Sequence, residues 1–111
     1  MSGEINWIEL PAEDTGKART FYTGLFGWTT MEFGPDYHLI QNGPAGAITT
    51  GDFAHPRVYF ATADIEASVK RVHELGGTAE DVQNVPDVGR IVHCKDDQGV
   101  PFSMYEPAAQ A

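Results

Sequence analysis

Two stretches of the chain carry one pattern. Residues 6–10 alternate as a strand, with Trp7 and Glu9 on one face and Asn6, Ile8 and Leu10 on the other. Pro11 ends the run, and Asp14 is placed to cap a helix over residues 15–26 that Gly27 closes. Ala18, Phe21, Tyr22 and Leu25 recur at spacings of three and four, which predicts an apolar stripe on that helix. Short strands follow at 28–33, 37–41 and 45–50, separated by "GPD" and "NGP". From Arg57 the order repeats. Strand 57–61 puts Arg57, Tyr59 and Ala61 on one face, and Asp64 caps a helix whose stripe is Ile65, Val69, Val72 and Leu75. Gly76 and Gly77 close that helix, and strands at 82–85, 89–95 and 101–105 complete the half, the last two joined by the turn "DDQG".

Asp14 and Asp64, Leu25 and Leu75, and Gly27 and Gly77 all fall fifty residues apart, in matched structural roles. The pattern predicts an α+β chain of two βαβββ modules, residues 5–50 and 57–107, within a single domain spanning 1–111. A lone βαβββ module leaves an open sheet face and sheet edges that need a partner, so two curved mixed sheets are expected to surround a cup. Side chains projecting into that cup are the functional candidates.

Composition narrows the choice of partner. The hydrophobic fraction of 41% and aromatic fraction of 11% suit a packed globule. A formal charge of −9 argues against a nucleic-acid or anionic-membrane surface, which needs clustered Lys and Arg. Cys94 is the single cysteine, so no internal disulfide forms, and its apolar setting in "IVHC" reads as a small buried hydrophobe. The start "MSGEINW" lacks the pattern of a signal peptide, and no run of eighteen apolar residues occurs. A soluble, cytoplasmic protein is the expectation.

The stretch "INWIELPAEDTGKARTFYTGLFGW" resembles the opening module of the vicinal-oxygen-chelate superfamily, which holds glyoxalase I, bleomycin-resistance proteins and extradiol dioxygenases. The second half, with "DDQGV" where that superfamily has D-P-D-G-N, resembles its closing module, so the likeness runs from Ile5 to Pro107. The resemblance implies the glyoxalase/bleomycin-resistance/dioxygenase fold and a homodimer in which each cup is built from two subunits. It also implies three positions for the ligands of a divalent metal, and these hold Trp7, Arg57 and Ser103 here. An indole, a guanidinium and a neutral hydroxyl are poor metal ligands, so no metal is expected at the usual place.

A displaced divalent site built from Glu9, His38 and His93 is the alternative. Without a metal, Trp7, Tyr59 and Tyr105 offer flat aromatic faces, with Phe33 and Trp28 as neighbours. Arg57, Glu9, Ser103 and His93 supply polar groups, and Ile91 shares the face of His93. What the resemblance then implies is a metal-free protein that binds or sequesters a small aromatic or amphipathic molecule, in the manner of the bleomycin-resistance class. The rival is a lyase, isomerase or hydrolase acting on a carbonyl compound, with His93 or Glu9 as general base and Arg57 stabilising developing negative charge. His55, before Pro56, and His73, on the second helix, are read as surface residues.

Overall fold

The computed structural model describes residues 3–51 and 53–108. The elements run β1 (Ile5–Pro11), α1 (Thr15–Phe26), β2 (Thr30–Glu32), β3 (Tyr37–Ile40), β4 (Gly46–Thr49), β5 (Arg57–Ala61), α2 (Ile65–Glu74), β6 (Thr78–Ala79), β7 (Gln83–Val85), β8 (Gly89–Lys95) and β9 (Pro101–Pro107). The repeated strand–helix–strands order of the sequence is present in both halves. By compactness the chain divides at 6/7 and 57/58, so residues 3–6 belong with the second unit. The reason is local. The Gly3 N–H donates to the Ala61 carbonyl at 2.9 Å, and the Ala61 N–H donates to that of Glu4 at 2.8 Å.

In the first unit, β2 and β3 are antiparallel, β3 and β4 are antiparallel, and β4 lies parallel to β1 with Ile8 opposite Gly46 and Glu9 opposite Ala47. A Cβ on Gly46 would sit 2.3 Å from the Ile8 carbonyl oxygen, so only glycine lets the two strands meet there. Asp14 caps α1 as expected, its carboxylate accepting from the Lys17 N–H at 3.0 Å. Gly27 closes the helix in the left-handed conformation, and its N–H donates to the Thr23 carbonyl at 2.8 Å.

Two expectations change in this unit. The strand predicted at 28–33 is confined to Thr30–Glu32, because residues 27–29 are held by other contacts. Asn42 accepts from the Thr29 N–H at 2.7 Å and donates to the Gly27 carbonyl at 3.1 Å. The Trp28 ring, meanwhile, stacks on Tyr22 at 5.3 Å and lies 5.1 Å from Phe26. The predicted helix stripe is also only half right. Ala18 and Tyr22 are partly buried, whereas Phe21 (63%), Leu25 (58%) and Phe26 (59%) are exposed.

In the second unit β5 lies parallel to β9, β9 is antiparallel to β8, and both β6 and β7 pair along β8. The alternation does not predict the two-residue strand β6 at Thr78–Ala79, and β9 runs two residues past its predicted end at Tyr105. Asp64 caps α2 by accepting from the Ala67 N–H at 3.1 Å. At the other end the Gly76 and Gly77 N–H groups donate to the His73 and Val72 carbonyls, a Schellman-type closure with Gly76 at φ +94°. Ile65, Val92, Cys94 and Met104 form the core, with Val69 and Val72 of α2 packed against it. Leu75, predicted for the same stripe, is exposed because it is already the cap residue.

Candidate functional site

Strand parity sorts the predicted residues of each unit onto faces. In the first unit His38 lies opposite Ile48, which lies opposite Leu10, so these three share one face. Tyr37, Leu39, Ala47, Thr49, Glu9 and Trp7 project from the other. Three side chains on that second face form a hydrogen-bonded chain. The Trp7 indole N–H donates to the Tyr37 hydroxyl at 3.1 Å, and that hydroxyl donates to Glu9 Oε2 at 2.8 Å. Phe33 continues the group, its ring 6.3 Å from that of Tyr37 in an edge arrangement.

The opposite face is closed by α1. His38 is 7% exposed and its Nε2 lies 3.1 Å from the Thr15 hydroxyl, which in turn donates to Asp36 Oδ1 at 3.2 Å. Thr15 has one proton, and the carboxylate takes it. The ring nitrogen facing Thr15 therefore carries a hydrogen, and the other, Nδ1, is buried without a hydrogen-bond partner. This corrects the displaced metal set: His38 and Glu9 stand on opposite faces of one sheet and cannot share an ion. Trp28 is likewise placed away from the candidate group, in the aromatic cluster at the end of α1.

The second unit gathers five of the predicted residues. Tyr59 lies opposite Ser103, Ser103 opposite His93, and Ile91 opposite Tyr105, so all five share the face turned from α2. His93 Nδ1 and the Ser103 hydroxyl share a short hydrogen bond of 2.6 Å, and the Tyr59 ring lies 6.0 Å from the imidazole. Ser103 and Tyr59 are buried, while His93, Ile91 and Tyr105 are half-buried. The Tyr105 hydroxyl donates to the Val88 carbonyl at 3.1 Å, which fixes its ring.

Arg57 sits at the start of β5 with its guanidinium 4.4 Å from the centre of the Phe53 ring, a cation–π contact. A groove of about 600 Å³ is lined by Pro11, Ala12, Glu13, Thr50, Phe53 and Ala54, none of them a predicted site residue. Cys94 lies in the core of the second unit, where burial, followed by the negative charge of Glu80, pushes its thiol up to about 11. At neutral pH it is a protonated, packed side chain, in keeping with its apolar setting in "IVHC".

Tyr37 joins the candidate residues only in the structure. "YHLI" is apolar or aromatic at both parities, so the alternation that placed Trp7 and Glu9 had nothing to choose between on β3.

No family model matches the chain. Among curated proteins it is 33% identical, over 96% of its length, to the anthracycline biosynthesis protein DauV of Streptomyces sp. (strain C5). It spans 42% of that protein, under half the length of the curated relative it matches. Two solved structures carry the comparison further. Over 99% of this chain and 34% of theirs, a homoprotocatechuate 2,3-dioxygenase variant from B. fuscum superposes with a TM-score of 0.76 at 19% identity. A Streptomyces coelicolor methylmalonyl-CoA epimerase complex superposes over 98% of this chain and 100% of its own with a TM-score of 0.70 at 16% identity. The chain has the α+β fold of these two solved proteins.

The resemblance to the vicinal-oxygen-chelate superfamily raises the question of a divalent metal, and the residues present at the implied positions do not fit one. Trp7 has no lone pair to offer and Arg57 carries a positive charge. The Ser103 hydroxyl is bound to His93. Among the described residues, no group of three or more His, Cys, Asp or Glu side chains is placed to hold an ion. No described helix is long and apolar enough to cross a membrane.

Proposed function

We propose that this chain is a member of the vicinal-oxygen-chelate superfamily that binds a small flat or amphipathic aromatic molecule without the help of a divalent metal. The observation that carries the reading is the Trp7–Tyr37–Glu9 chain on the sheet face turned from α1. Aromatic surface with a few fixed polar groups is what recognition of such a ligand requires. The face of Tyr59, Ile91, His93, Ser103 and Tyr105 has the same character, and Arg57 adds a cation. Likeness to a protein named for anthracycline biosynthesis points in the same direction, since an anthracycline is a fused-ring aromatic. The reading has the protein act as a cytoplasmic homodimer.

Trp7 provides the test. In a Trp28→Phe background its emission reports alone, and titration with a panel of aromatic compounds that includes anthraquinones should change it saturably. Trp7→Ala should weaken binding by about 1–3 kcal/mol, the usual worth of one good aromatic contact. Failure of every compound to bind the parent, or equal binding by Trp7→Ala, rejects the reading. A catalytic variant is favoured by the short His93–Ser103 bond, which orients the imidazole as a general base. Turnover of a bound carbonyl compound that disappears in His93→Ala would support it.

A further inference from the structure

We propose that Asn42 is a self-modification site, where attack by the Gly43 nitrogen expels ammonia and frees the end of α1. The pair opens the "NGP" turn between β3 and β4, and both residues are exposed. The site is separate from the residues assigned to a ligand. A backbone nitrogen reaches the preceding side-chain amide most readily when it belongs to glycine, which has no Cβ to hinder the approach. The Gly43 nitrogen forms a bond to the Asn42 Cγ, and the Cγ–Nδ2 bond breaks. The Gly43 amide proton leaves with Nδ2 as ammonia, and a cyclic imide remains. Water then opens the imide at either carbonyl, so position 42 becomes aspartate or isoaspartate.

This chain pins both residues in place. A Cβ on Gly43 would lie 2.6 Å from Trp28 Nε1 and 3.0 Å from Ile40 Cγ2, so packing keeps that position a glycine. Asn42 does what aspartate cannot. Its Oδ1 accepts from the Thr29 N–H at 2.7 Å while its Nδ2 donates to the Gly27 carbonyl at 3.1 Å. A carboxylate still accepts from Thr29 but has no hydrogen for Gly27. It also sets a negative charge against the carbonyl end of α1, where the helix dipole disfavours anions. Isoaspartate adds a methylene to the main chain of the turn as well. Trp28 lies between the two bonded residues and stacks on Tyr22 at 5.3 Å, so its ring reports the release. The same two hydrogen bonds set the timing. They hold the amide on residues 27–29, so cyclisation waits for the turn to open.

The test holds the full chain at mildly alkaline pH and follows its tryptic peptides by mass, beside a free peptide of residues 38–47. Deamidation should fall on Asn42 ahead of Asn6 and Asn84, which precede Trp7 and Val85. It should run about tenfold or more slower than in the free peptide, because only the opened turn reacts. Asn42→Asp should lower the folding equilibrium constant about three- to thirtyfold, the combined effect of one lost hydrogen bond and an adverse charge at a helix end. In a Trp7→Phe background the emission of Trp28 should shift with it. Should Asn42→Asp fail to fold, the aged protein supplies the same readouts, since its added negative charge lets ion exchange separate it. Asn42 left intact while Asn6 or Asn84 reacts overturns the site. A rate equal to that of the free peptide overturns the hydrogen-bonded control. Stability within about twofold of the parent and unchanged Trp28 emission in the deamidated chain overturn the release of α1.

Discussion

The two helices occupy matched places in the repeat and bury different things. The stripe of α2 drives Ile65, Val69 and Val72 into a core shared with Val92, Cys94 and Met104. The counterpart α1 buries Thr15 fully and leaves Phe21, Leu25 and Phe26 outside. Where the second unit has an apolar contact at the start of its helix, Ile65, the first has the hydrogen-bonded group Thr15, His38 and Asp36. What the repeat preserves is the backbone device. Asp14 and Asp64 cap their helices by accepting from the N–H three residues on. The contents of the core beneath are free to diverge, since caps fix where a helix starts and packing decides which face is buried.

The largest expected effect lies in the second unit. Ile65 is fully buried, and Ile65→Ala removes its methylenes from a closed apolar site, so about 2–5 kcal/mol of stability should be lost. Urea unfolding at constant m-value measures it. A loss below about 1 kcal/mol would mean that the site relaxes around the deletion, and the contrast with the first unit would fail.

The corresponding position in the first unit should respond through polarity. Thr15→Val keeps the shape and removes the hydroxyl that serves both His38 and Asp36. His38 is then left with both ring nitrogens unpartnered in a buried place, a loss of roughly 1–3 kcal/mol. Thr15→Ser keeps the hydroxyl and should recover most of that stability. Should Val and Ser variants unfold at the same urea concentration, the hydroxyl contributes nothing and Thr15 is simply a packing residue.

These contrasts also show how far the chain can be read without coordinates. The helix caps and closures were legible because each is a local device, written in one or two residues. The faces of β1, β5, β8 and β9 were legible too, because Trp7 with Glu9, and His93 with Ile91, are set apart from aliphatic neighbours of the other parity. On β3 the alternation fails. His38 and Tyr37 are both semi-polar, Ile40 and Leu39 both aliphatic, so a one-residue ambiguity in register exchanged the core residue for the candidate binding residue. The exposed side of α1 was hidden for a related reason. Phe21, Tyr22, Leu25 and Phe26 surround more than one side of the helix end, and periodicity alone does not say which side meets the sheet.

The smallest expected effect follows from that exposed side and sharpens the contrast most. Leu25 is 58% exposed on α1, and Leu75, fifty residues on, is 61% exposed. Leu25→Ala deletes little buried surface and places a better helix former at an outer position. The change in stability should stay within about 0.5 kcal/mol, the range of ordinary surface substitutions, and Leu75→Ala should behave alike. Both are read from urea midpoints at two protein concentrations tenfold apart. A loss of about 2 kcal/mol at Leu25 would show that the side chain is covered in solution by something other than its own unit. If that loss also grew with protein concentration, a second copy of the chain would be the cover, because an obligate partner makes stability concentration-dependent. Equal, small changes at both positions would leave the two helices alike in their outer faces and different only beneath, which is the contrast drawn from Ile65 and Thr15.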